Sequence, residues 1–204
     1  TGFLLSHFPT TRHAHSLTRV NVDLSEHQLA DSIARGITCL HASAQTITRD
    51  RLTRPGVGLT LMMRSVLHYA GADGTGELLS HLRAQLRPGE AFVHQTACFD
   101  APHDAACLNR LYELMRSHKH YPTAEELSAQ LEATGWRVDD FAPASPLPLT
   151  ADDLTERYNL TGDDLETIRA QLTAEFGPTP GVFELAADAF TAYLHYRIVT
   201  CRAI

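Results

Sequence analysis

Residues 20–43, VNVDLSEHQLADSIARGITCLHAS, decide the fold class, because their hydrophobic period switches twice over a short span. Leu17, Val20 and Val22 read as a strand that closes on Asp23. Ser25 follows, with Gln28 three residues later, the capping-box spacing that opens a helix. Leu29, Ile33 and Ala34 share one face of that helix, and Gly36 supplies a left-handed C-cap. "ITCLHAS" is then a short, nearly continuous apolar run, the pattern of a strand buried in a parallel sheet. The order is strand, helix, strand.

The same rhythm continues along the chain. "VGLTLMMRSVLHY" runs from strand into turn, and "GADGTG" reads as a glycine-rich loop. Leu78, Leu79, Leu82 and Leu86 mark a helix closed by "RPGE", and "AFVHQTACF" is the next strand. Leu108, Leu111, Leu114 and Met115 predict a helix over 105–118. Thr123 and Glu126 form a second capping box, whose helix ends at Gly135 before the strand "WRVDDFAP". Pro143, Pro146 and Pro148 break the chain ahead of two capped helices, over 151–158 and 163–176. "FTAYLHYRIVTCRA" alternates as one closing strand, antiparallel and at or near an edge. The chain therefore predicts a single α/β domain, with residues 148–178 as a helical insertion or lid near the end of the sheet.

Composition narrows the function classes. With 204 residues, 44% hydrophobic and 20% charged, the chain suits one soluble globular domain. The net charge of -7 is scattered, which argues against a nucleic-acid partner, because phosphate binding needs clustered Lys and Arg. Cys39, Cys98, Cys107 and Cys201 have no zinc-binding spacing and suit a reduced cytoplasmic setting. No apolar run is long enough to span a bilayer, so no membrane partner is expected. The pairs His13/His15 and His118/His120 lack a third ligand at recognisable spacing, and no metal is expected.

In an open parallel sheet, ligands bind beyond the carboxyl ends of the strands. Four stretches end strands in this way: "TG" at 1–2, "VDLS" at 22–25, "ASA" at 42–44 and "MRSVLH" at 63–68. A carboxylate closing a strand, here Asp23, suits the two hydroxyls of a ribose. Its bland alternative is a helix N-terminal carboxylate that complements the dipole. Gly2 lets backbone approach a ligand closely, or is simply a turn glycine.

In order, "TGFLLSHF", "VNVDLSEHQL", "GITCLHASAQ", "LTLMMRSVLHY" and "LRAQLRPGEAFV" resemble the body of a class I S-adenosylmethionine-dependent methyltransferase. The resemblance implies a Rossmann-like sheet, mostly parallel with an antiparallel last strand and helices on both faces. It also implies S-adenosyl-L-methionine as cofactor. Thr1-Gly2 matches the last two residues of the family's GxGTG loop. Asp23 matches its acidic residue after the second strand, with Leu24 flanking the adenine. Ala42-Ser43-Ala44 stands where the family has Gly-Asp-Ala, so Ser43 would accept the hydrogen bond there, beside Ala44. Backbone near Met63 and Arg64 would approach the methionine moiety.

His68 is the best-placed general base for an acceptor hydroxyl; its alternative is a packing or capping histidine. The segment from Phe99 to Tyr121 and the helices after Pro148 would form the acceptor pocket and its lid. The leading expectation is methyl transfer to a small-molecule O, N or C nucleophile. The alternative is a non-methylating S-adenosylmethionine-binding protein or subunit of the same fold. In the family the first strand is central, between the second and fourth. The expectation is therefore that the native polypeptide carries that strand and the first loop glycines upstream of Thr1. Direct pairing of the second and fourth strands would refute it.

Overall fold

The opening unit forms as read: β1 (Val20–Asp23), α1 (Glu26–Ala34) and β2 (Thr38–His41). The computed structural model describes residues 18–186 and 189–204, so Leu17, the Gly2 motif and the His13/His15 pair lie outside the described residues. β1 and β2 pair in parallel, from Val20 opposite Thr38 to Asp23 opposite His41. Ser25 Oγ accepts the Gln28 amide at 3.3 Å and caps α1, while Gly36 takes φ +70° just beyond its end. The buried face of α1 differs from the expected one. Leu29 and Ser32 are buried, whereas Ile33 is 62% exposed and Ala34 faces solvent. The reason is polar: Ser32 Oγ accepts a 2.8 Å bond from buried Asn21 Nδ2 on β1, and that bond sets the rotation of the helix.

A four-stranded sheet follows, in the order β3 (Thr60–Arg64), β4 (Ala91–Ala97), β9 (Tyr196–Ala203), β5 (Trp136–Pro143). β3 and β4 are parallel, and β9 runs antiparallel between β4 and β5, one strand in from the edge. α3 (Gly71–Ala84) and α5 (Ala124–Ala133) cover one face. Leu78, Leu79, Leu82, Leu127 and Leu131 pack there with Phe92, Val199 and Cys201 around Trp136, whose indole N–H donates to Leu79 O at 3.2 Å. The opposite face carries Met62, Ile198 and Arg202 and is open among the described residues, so the expected helical cover is seen there on one side. Among the described residues β1 pairs with β2 and β3 with β4; β1 and β3 share no ladder.

Three readings need correction. "GADGTG" is the first turns of α3 rather than a loop, because small residues let the helix start against loop backbone: a Cβ on Gly71 would lie 3.2 Å from His118 O. The helix read over 105–118 is α4 (Pro102–Leu114), opened by a proline at its first position and ended before Arg116, which is left-handed at φ +57°. The closing strand is two strands. β8 (Phe190–Leu194) joins β6 (Leu147–Thr150) and β7 (Phe183–Leu185) in a separate antiparallel sheet, and the chain crosses to β9 at His195. His195 holds that crossing, its carbonyl accepting Cys98 N at 3.0 Å and its ring Nε2 lying 2.6 Å from Gly181 O.

α6 (Ala151–Tyr158) and α7 (Gly162–Phe176) occupy the expected positions, each opened by a Thr/Asp capping box at Thr150/Asp153 and Thr161/Asp164. With α4 they pack on the small sheet through Leu108, Leu111, Leu154, Ile168, Leu172 and Phe190, a second core beside the first. A short α2 (Arg49–Leu52) completes the elements. No described helix is long and apolar enough to cross a membrane.

Candidate functional site

The carboxyl end of β3 builds the site. Ser65, directly after the strand, sits at φ +52°, a conformation that costs a non-glycine residue about 1 kcal/mol or more. Its amide donates to Gln95 O at 2.9 Å on β4, and its hydroxyl donates to Tyr196 Oη at 3.1 Å. The sharp turn it makes swings the chain into a 3₁₀ turn over Leu67–Ala70, which buries His68. From the other side, the loop after α4 is pinned twice. The His120 amide donates to His68 O at 3.1 Å, and the Asn109 side chain grips Tyr121 by both backbone groups, at 2.9 and 2.8 Å.

Between these pieces lies a pocket of about 130 Å³. Ser65, His68, Tyr112, Lys119, Tyr121, Tyr158 and Tyr196 line it, with Leu149, Leu154 and Leu194 as its aliphatic part. It is small beside the roughly 300–1,000 Å³ of drug-sized ligand sites, and fits a single ring or its equivalent. The His68 ring stacks on Tyr121, centroids 5.1 Å apart at 26°. His68 Nδ1 is buried with no hydrogen-bond partner, an orphaned polar group in a pocket wall. Burial, and secondarily the Lys119 charge, push the His68 pKa down to about 4, so the ring is neutral at pH 7. Burial also raises the Tyr112, Tyr121 and Tyr158 phenols, which stay protonated.

The other sequence-predicted residues occupy the ends of β1, β2 and β3. Asp23 ends β1 and uses Oδ1 to accept the Ser25 amide at 2.8 Å. Leu24 beside it is 66% exposed. Ser43 Oγ accepts the Gln45 amide at 3.1 Å, capping a turn, and Ala44 packs against the first core. Arg64 is exposed and donates through Nε to Gln95 Oε1 at 3.1 Å. Of the predicted residues among those described, His68 is the one that lines the pocket. Tyr112, Lys119, Tyr121 and Tyr158 fall in the segments expected around the acceptor without having been singled out, and Ser65 and Tyr196 come from outside them; only the positive φ of Ser65 distinguishes any of these residues locally. A larger groove of about 410 Å³ runs between α7 and β7, but its lining is mostly exposed and carries no buried polar group.

Strand order separates this chain from other α/β arrangements: a parallel pair, then a sheet whose last strand in sequence inserts antiparallel between the two before it. Solved structures superpose on the chain. The YcgJ protein of Bacillus subtilis superposes with a TM-score of 0.69 at 14% identity, covering 93% of this chain and 84% of that one. The fold is that of the class I S-adenosylmethionine-dependent methyltransferases. A methyltransferase candidate from Bacillus halodurans matches at TM-score 0.66 and 13% identity, over 90% of this chain and 81% of its own. An S-adenosylmethionine-dependent methyltransferase from Mesorhizobium loti matches at 0.52 and 18%, over 93% and 83%. No protein-family model and no curated protein sequence matches the chain.

Proposed function

We propose that the chain is a methyltransferase that uses S-adenosyl-L-methionine to methylate a small-molecule nucleophile held in the His68 pocket. The observation that carries this reading is the position of that pocket, small and aromatic-lined, at the carboxyl end of β3 in a methyltransferase fold. The residues at the end of β1 suit the cofactor. Asp23 spends one carboxylate oxygen on Ser25, leaving the other for ribose hydroxyls, and exposed Leu24 offers apolar surface to an adenine. When bound, the cofactor supplies an electrophilic sulfonium methyl. The protein then has mainly to align and to exclude water. Tyr112, Tyr121 and Tyr196 wall the nucleophile in, and neutral His68 accepts a hydrogen bond, or the departing proton, at its unpartnered ring nitrogen.

A second reading, a non-methylating binding protein of the same fold, is favoured by one observation. A His68 pKa of about 4 makes a weak base, and methylation of a poorly acidic hydroxyl would gain little from it. Calorimetric titration with S-adenosylmethionine tests both. Micromolar binding is expected, followed by release of S-adenosylhomocysteine across a panel of small O, N and C acceptors. Binding without turnover on any of them favours the second reading, and absence of binding eliminates both.

A further inference from the structure

The pocket holds a cation cage that is already full. Lys119 Nζ lies 4.6 Å from the ring centroid of Tyr69, 5.1 Å from that of Tyr158 and 5.6 Å from that of Tyr112. It also donates to Tyr158 Oη at 2.6 Å. The Tyr69 and Tyr112 rings and the Tyr158 hydroxyl around an ammonium form a cation receptor, and here the occupant is the chain's own side chain. The position is built rather than incidental, because the loop on either side of Lys119 is tied down at Ser117, at His68 and at Asn109.

Around that ammonium the pocket is one-signed. Lys119 and Arg157 line it, and no carboxylate does among the described residues. Burial keeps the phenols protonated and His68 neutral, so nothing in the lining offsets Lys119, while Asp153, one turn back on α6, interacts with Arg157 from outside the lining. A cationic ligand would meet like charge at close range in a partly desolvated space. An anion would find at Lys119 the N–H donors not used on Tyr158. His68, Tyr121 and Tyr112, packed on one another, give the pocket an aromatic lining that suits a single small ring.

We propose that the pocket selects a small planar molecule bearing an anionic group, with Lys119 and Arg157 as its counter-charges. In naming that molecule the methyl acceptor the proposal rests on the methyl-transfer reading; the anion site itself does not. Binding has a consequence for His68: an anion at Lys119 offsets the second of the two effects that suppress its basicity, so the correct ligand strengthens the base beside it.

Benzoate and benzylammonium, equal in ring and opposite in charge, are the probes, titrated into the whole chain by saturation-transfer NMR and calorimetry. Benzoate is expected to bind and benzylammonium not. Lys119→Met should weaken benzoate at least about tenfold, Lys119→Arg should retain it, and Arg157→Gln at its exposed position should weaken it by a smaller, salt-sensitive factor. Melting curves confirm that each variant is folded, and Arg157→Gln carries the test should Lys119→Met be unfolded. No benzoate binding at millimolar concentration, tighter binding of benzylammonium than of benzoate by the unmodified protein, or benzoate binding indifferent to both charge removals would overturn the proposal. S-adenosylmethionine binding is read separately. Its loss with Lys119-dependent benzoate binding intact removes the methyl-transfer reading alone; its presence without benzoate binding removes this one alone.

Discussion

The Ser65 hydroxyl donates a 3.1 Å hydrogen bond to Tyr196 Oη, joining the left-handed residue that ends β3 to the first residue of β9. This bond joins two residues that line the pocket and holds a strained turn in place. Tyr196→Phe removes the acceptor without changing shape, and should cost about 1 kcal/mol in urea unfolding. Ser65→Gly loses the same bond but relieves a φ of +52°, so its net change should stay within about 1 kcal/mol. Ser65→Val keeps the strain and worsens it by β-branching, and should be the most damaging of the three.

Glu90 is the electrostatic anchor between the α2 region and the main sheet. Its carboxylate receives both Arg49 guanidinium nitrogens, at 2.5 and 2.8 Å, and the amides of Leu59 and Arg87, each at 2.8 Å. Those donors hold its pKa down, to about 2. A carboxylate depressed on folding stabilises above its unfolded value near 4.5, and that contribution is lost as pH falls from there through about 2. Glu90→Gln should lose roughly 2–3 kcal/mol at pH 7 and flatten the stability curve in that acid window, read by urea denaturation at a series of pH values.

His94 sits on β4 beside Phe92, 1% exposed, with neither ring nitrogen bonded. Burial lowers its pKa from 6.5 to about 4. The unfolded chain therefore binds the proton first, so stability present above pH 6.5 is lost as pH falls toward 4. His68 behaves likewise, and each histidine contributes roughly 3 kcal/mol to that loss. His94→Leu should raise stability at pH 7 by about 1–2 kcal/mol, since it removes an unsatisfied polar group from an apolar core, and should reduce the acid loss between pH 6.5 and 4. Thermal melts across that range check both.

Asp23 separates a structural from a binding role. Its bond to the Ser25 amide is one that an Asn side chain reproduces. Asp23→Asn should leave the melting temperature nearly unchanged while weakening S-adenosylmethionine at least about tenfold by calorimetry, as expected for loss of a charged ribose acceptor. Unchanged affinity would leave Asp23 with its helix-entry role alone.

Local chemistry explains why some of this was legible in sequence. The capping boxes at Thr123/Glu126, Thr150/Asp153 and Thr161/Asp164 involve atoms three residues apart, so spacing alone locates those helix starts. The same holds for Gly36 and Gly135, whose positive φ needs no distant partner. Readings that depended on a distant contact failed. Ile33 faces solvent because a buried bond between Asn21 and Ser32, eleven residues apart, sets the helix rotation. The split of the last strand follows from contacts of His195 with Cys98 and Gly181, invisible in a stretch that alternates smoothly through it.

The sequence by itself determined the alternation of strands and helices, their caps and the class of the sheet, since hydrophobic period and end signals are properties of neighbouring residues. Only the tertiary structure decided the pocket. Ser65, His68, Tyr112, Lys119, Tyr158 and Tyr196 come from separate elements and loops, and their joint meaning is a charge, a set of ring faces and a volume. Those quantities exist only once the chain has brought the groups within a few ångströms, where burial lowers the local dielectric and makes each charge count.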